Sequence, residues 1–154
     1  MIDPRRQAFA NYIRLIADDL GLRDWVIVVK DRCPEDPSNS AEAESIWGAK
    51  HINILIGDSL LDKDREYQRE VFVHELLHAH TAHMNFVLRE MLEPAQYQVH
   101  RVQMEYMVDA LAVRVSKFLP LPPPPFTKGD SDGTCRPADP AHRGRRFDPD
   151  AADG

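Results

Sequence analysis

From Asp64 to Met84 the chain reads DREYQREVFVHELLHAHTAHM, with no proline or glycine to interrupt a helix. Acidic residues at its start suit a helix N-terminus. The turn around His74-Glu75-Leu76-Leu77-His78 is apolar for a segment holding two histidines and a glutamate, because Val71, Val73, Leu76, Leu77 and Ala79 surround them. A solvated charge face would not be built this way. The segment reads as a half-buried helix presenting a few polar groups to a cleft, and the rest of the fold must pack around it.

His74 and His78 are four residues apart. At about 100° per residue they leave one side of a helix a turn apart, where both can reach one metal ion. Glu75 directly follows the first histidine, so its carboxylate can approach a metal-activated water without being a ligand. Two imidazoles and a carboxylate base are what zinc-assisted hydrolysis requires. A chance match is the bland alternative in a chain with seven histidines, and the apolar flanks argue against it. A catalytic zinc takes a third protein ligand. His83 lies about 180° round a continuous helix from His74, and His80 about 200° from His78, so both point away and read as solvent-facing or second-layer residues. The bent metzincin arrangement is excluded, because its glycine and third histidine positions are Thr81 and Met84 here.

Glu105 and Asp109 remain, four apart on one face of a second helical stretch, roughly Pro94 to Phe118. Alone, they would be carboxylates on a solvated face balanced by Arg101 and Arg114. Beside H-E-x-x-H, Glu105 can reach the zinc, and Asp109 can hold the far nitrogen of a ligating histidine and so fix its tautomer. The order His74-Glu75-Leu76-Leu77-His78 followed by Glu105-x-x-x-Asp109 resembles the gluzincin pattern of thermolysin-type metallopeptidases. The resemblance implies that Glu105 is the third zinc ligand and that Asp109 supports a histidine. Met104 stands where that family usually has Asn. The short spacing and small size look more like the minimal gluzincin-like peptidases of bacteria and phages. The resemblance covers the two motifs and the order of elements, not long stretches of sequence.

The composition changes at Pro120. Eight of the twelve prolines fall from Pro120 onward, with Phe126 and Phe147 the only large apolar residues after Leu121. Such a segment buries too little surface to offset its ordering entropy, so residues 120–154 read as a disordered tail and Pro122 to Pro125 as a polyproline II tether. Residues 1–119 suffice for one domain. Up to Leu119, Lys and Arg number 14 against 19 Asp and Glu. A mildly acidic domain without a basic stripe argues against nucleic-acid binding. Cys33 and Cys135 have no spacing that points to a metal knuckle or a disulfide framework. The N-terminus lacks the apolar core of a signal peptide and no run has transmembrane length, so a cytoplasmic protein without membrane contact is expected. No oligomeric state can be read.

The expected fold class is α+β, a small zincin-like domain. Asp3 and Pro4 open a helix with apolar residues Phe9, Tyr12, Ile13, Ile16 and Leu20, which Gly21 ends. Strands follow at Trp25 to Lys30, Ala41 to Trp47 and Lys50 to Ile56, in a short, mostly antiparallel sheet. The metal helix comes next, then a short helical piece over Asn85 to Leu92, then the helix carrying the third ligand. Ala41 to Trp47, small on one face and charged on the other, reads as the edge strand that would hold an extended peptide. The expected function is a Zn²⁺-dependent metallopeptidase acting on a peptide or protein substrate, with His74, His78 and Glu105 as ligands and Glu75 as general base. Tyr97, His100 and Tyr106 are candidates for stabilising the oxyanion. The competing classes are a regulatory or binding module with structural zinc, and a metal-dependent hydrolase of a non-peptide amide.

Overall fold

The first helix, α1 (Pro4–Asp19), turns Phe9, Tyr12, Ile13, Ile16 and Ala17 inward at helical spacing. Gly21 ends it with φ 77°, a left-handed conformation glycine adopts without steric cost. The Leu22 N–H bonds back to Ala17 O and the Gly21 N–H to Asp18 O, at 2.8 and 3.1 Å. This pair of reverse bonds satisfies carbonyls that the helix end would otherwise leave open. The computed structural model describes residues 4–30 and 32–124, so the expected Asp3 cap and the chain from Pro125 onward lie outside the described residues.

Three strands follow: β1 (Val26–Val29), β2 (Ala41–Ile46) and β3 (His51–Ile56). The isoleucine-rich β3 lies in the middle, where Ile52, Ile54, Leu55 and Ile56 are buried. It pairs antiparallel with β2 over six residue pairs and parallel with β1 over four. The sheet is therefore mixed, with β2 and β1 as its two edges. Trp47 to Ala49 form a 3₁₀ turn rather than extending β2, and Lys50 takes φ 44° to enter β3. Gly57 follows β3 at a close approach, since a Cβ there would lie 2.7 Å from Asn39 O.

A short α2 (Asp58–Leu61) leads to α3 (Arg65–Met91), capped by the Asp64 carboxylate, which accepts from the Tyr67 N–H at 2.8 Å. α3 runs on through 27 residues, so the separate helical piece expected over Asn85 to Leu92 is instead its last part. No breaker occurs before Pro94, which holds the preceding residues extended and starts α4 (Pro94–Val115). Glu93 and Gln96 close a reciprocal capping box there. The two-residue link makes α3 and α4 an antiparallel hairpin. The architecture is α+β: the sheet, α1 and the first half of α3 share one core in which Phe72 meets Phe9 and Tyr12.

Beyond Leu119 the described chain stays fastened to the domain. The Tyr12 hydroxyl donates to Pro120 O at 2.8 Å, Arg69 Nη1 to Leu119 O at 3.0 Å and Arg65 Nε to Pro122 O at 2.7 Å. Cys33, whose spacing gave no reason to expect a cross-link, is disulfide-bonded. No helix among the described residues is long and apolar enough to cross a membrane.

Candidate metal centre

The rotation of α3 about its axis is set by Phe72, Val73, Leu76 and Ala79, all buried in the core. Once these face inward, His74 and His78 emerge together at the rim. α4 is fixed in the same way. Met104, Val108 and Ala112, spaced by four, are its buried residues, and Glu105 and Asp109 each follow one of them, so both carboxylates leave the same rim.

The two rims meet. His74 Nε2 and His78 Nε2 are 3.0 Å apart, and Glu105 Oε2 lies 3.5 Å from the first and 3.6 Å from the second. Three ligands about 2.0 Å from one tetrahedral ion would be separated by about 3.3 Å, so these spacings match three corners of such a site. His74 Nδ1 lies 2.9 Å from Asp109 Oδ1. A carboxylate can only accept there, so the proton sits on Nδ1 and the Nε2 lone pair of neutral His74 points at its two neighbours. Burial pushes the His78 imidazole below its ordinary value, outweighing the opposing field of Glu105. Burial thus favours the neutral, metal-binding form of His78. Among the described residues, His74, His78 and Glu105 form a group able to hold a metal ion.

Glu75 lies next to this triad and is only 8% exposed. Burial pushes its carboxyl up to about 8, against a hydrogen bond from the Ala43 backbone that favours the ionised form; the charges of Glu105 and Glu42 push it further up. The Ala43 bond follows from the strand register. Ser40 O accepts from the Gly57 N–H at 2.9 Å, which makes every second residue of β2 from Glu42 onward a bonded partner of β3. The backbone groups of Ala41, Ala43 and Ser45 therefore turn to the free edge, towards α3. A cleft of about 910 Å³ opens between that edge and the helix hairpin, and His74, Glu75, His78 and Glu105 line it. A second hollow of about 360 Å³ continues from His74 and Glu75 along Ser38 to Ala41, with Asp109 at its side. An extended chain could lie along β2 across both.

Three other histidines of the described residues go elsewhere. His80 Nε2 reaches Leu20 O at 2.8 Å, and His83 stacks on Trp47 with centroids 4.0 Å apart. His100 Nε2 is 3.0 Å from Asn85 Oδ1. Of the three residues weighed for the oxyanion, Tyr97 lines the cleft, whereas Tyr106 is 72% exposed and does not. Arg101, a balancing surface charge by sequence alone, lines the cleft as well, and so does Arg89. Their signal in the sequence was Arg101 one turn before Glu105, on the face that meets α3. No protein-family model, curated protein or solved structure matches the chain.

Proposed function

We propose that this chain is a zinc-dependent metallopeptidase of gluzincin-like type. The observation that carries the reading is the convergence of His74 Nε2, His78 Nε2 and Glu105 Oε2 beside a buried Glu75, in a cleft bordered by a free strand edge. Two imidazoles and a carboxylate are a donor set that suits zinc. Zinc held there supplies Lewis acidity, polarising a carbonyl and making water acidic near neutral pH.

The remaining work falls to the chain. Asp109 holds His74 in the tautomer that leaves Nε2 free. Glu75 takes the proton of the attacking water and delivers it to the leaving nitrogen. The Ala43 N–H steadies the Glu75 carboxylate, and a divalent cation in the triad would act in the same direction, against the effect of burial. The outward backbone groups of Ala41 and Ser45 hold the substrate as an added strand, and of the three residues weighed as oxyanion donors Tyr97 is the one that lines the cleft.

The test is turnover of a diverse peptide mixture by zinc-loaded protein. Glu75→Gln should keep zinc and lose about a hundredfold or more in rate. Ser45→Pro deletes one outward N–H on an edge strand, where proline is tolerated, and should slow turnover by about 2–10-fold with zinc still bound. Undiminished turnover in Glu75→Gln would overturn the general-base role. Full zinc with no turnover of any peptide would favour the binding-module reading.

A further inference from the structure

The large cleft does not end at the metal triad. From His78 it continues along α3 past Phe86 to Arg89, and from Glu105 along α4 past Arg101 to Tyr97, towards the turn between the helices. Its charge changes on the way. Glu42, Glu75 and Glu105 gather at the metal end, whereas the far end carries Arg89 and Arg101. Some basic side chains of this acidic chain pair with carboxylates, Arg6 with Asp58, Arg32 with Glu44 and Lys50 with Asp24, and others, Arg65 and Arg69 among them, bond to backbone carbonyls instead. Among the described residues no ion pair reaches Arg89 or Arg101. Ile46, Trp47 and Phe86 stand 54, 43 and 58% exposed in the same cleft, an apolar wall beside two uncompensated guanidinium groups.

From this juxtaposition we infer that the cleft recognises an acidic peptide, an inference that rests on the peptidase reading for its substrate class. A guanidinium with no internal partner offers a planar fork of donors to a carboxylate without first breaking an existing pair. Helix geometry sets the spacing. Arg101 lies one turn from Glu105, about 6 Å, and Arg89 eleven residues beyond His78, about 16 Å. An extended peptide advances about 3.3 Å per residue, so the two arginines meet side chains about two and about five residues from the point over the metal. The stretch between lies against Trp47 and Phe86 and favours an apolar side chain. The substrate class is thus a peptide segment with an apolar residue flanked by Asp or Glu, on the side of the cleaved bond nearest the α3–α4 turn.

The test separates recognition from chemistry. Two blocked, fluorescent peptides share one alanine–phenylalanine background, one with glutamates and the other with lysines at alternate positions. Their binding to zinc-loaded Glu75→Gln protein is followed by anisotropy. The glutamate peptide should bind roughly tenfold tighter or more, and Arg89→Glu with Arg101→Glu should abolish or reverse that preference. Arg89→Gln with Arg101→Gln should remove the preference without reversing it. Both arginines are exposed, so melting temperature should not move. Equal binding, tighter binding of the lysine peptide, no binding of either, or an unchanged preference in the double variants overturns the inference. If the glutamate peptide binds selectively but the Glu75-containing protein does not cleave it, acid recognition stands and the peptidase reading falls.

Discussion

α3 is one helix in two environments. Between Arg65 and Thr81 it buries Gln68, Phe72, Val73, Leu76 and Ala79, whereas beyond Ala82 it leaves Met84, Phe86, Val87 and Met91 exposed. His74 and His78 lie near the end of the first part, and the cleft that starts with them runs along the second. The core half fixes the rotation of His74 and His78. The outer half, held by α4 and by an unbroken backbone, is free to present Phe86 and Arg89. The same local conformation thus serves packing in one stretch and display in the next, and burial, not helicity, tells them apart.

The sharpest way to break that comparison is to cut one aromatic from each half. Phe72→Ala removes a fully buried ring in contact with Phe9 and Tyr12 and should cost about 3–5 kcal/mol in urea unfolding. Phe86→Ala, in the exposed half, should stay within about 0.5 kcal/mol. Similar costs for the two would mean that the outer half is packed against something else.

Glu75 is the one buried carboxylate of that half, and it should weaken the metal-free fold. Burial raises its folded pKa to about 8 from an ordinary 4.5, so the folded chain holds that proton more tightly than the unfolded one. The stabilising contribution is complete below 4.5 and falls as pH rises, until it is gone above about 8. Glu75→Gln has no such proton to lose. In the absence of metal the variant should match the parent in acid and exceed it by up to a few kcal/mol above about pH 8. A gap that shrinks with rising pH would contradict the burial of this carboxyl.

A smaller effect is expected at the junction of α3 with α4. Asp109→Ala frees the His74 ring to change tautomer and should weaken zinc by about 10–100-fold, measured by competition with a chromogenic chelator. Unchanged affinity would reduce Asp109 to a surface charge.

Much of the fold and of the site could be read from residue spacing. The separation of His74 from His78, and of Glu105 from Asp109, are local helix facts, and the angles that turn His80 and His83 away are of the same kind. What the sequence hid depends on partners distant along the chain. Parallel pairing of β1 with β3 is set by where α1 and the long loop deliver β1, not by the residues of Val26 to Val29. The continuation of α3 past Met84 was obscured because apolar periodicity fades where the helix leaves the core, although no residue there ends it. The fastening of Leu119 to Pro122 depends on Tyr12, Arg65 and Arg69, whose hydrogen bonds go to backbone carbonyls that carry no sequence signal. Arg101 looked like a balancing charge because its place one turn before Glu105 marks a cleft residue only once α3 is known to pack on that face.

The central claim is that His74, His78 and Glu105 together hold one zinc ion, and metal content tests it most directly. The protein is purified without added chelator, loaded with zinc, freed of excess and analysed by plasma emission alongside its variants. The prediction is one zinc per chain in the parent and in Glu75→Gln, and almost none in Glu105→Ala. A chain that retains no zinc, or full zinc in Glu105→Ala with loss in Asp109→Ala, would contradict the proposed ligand set.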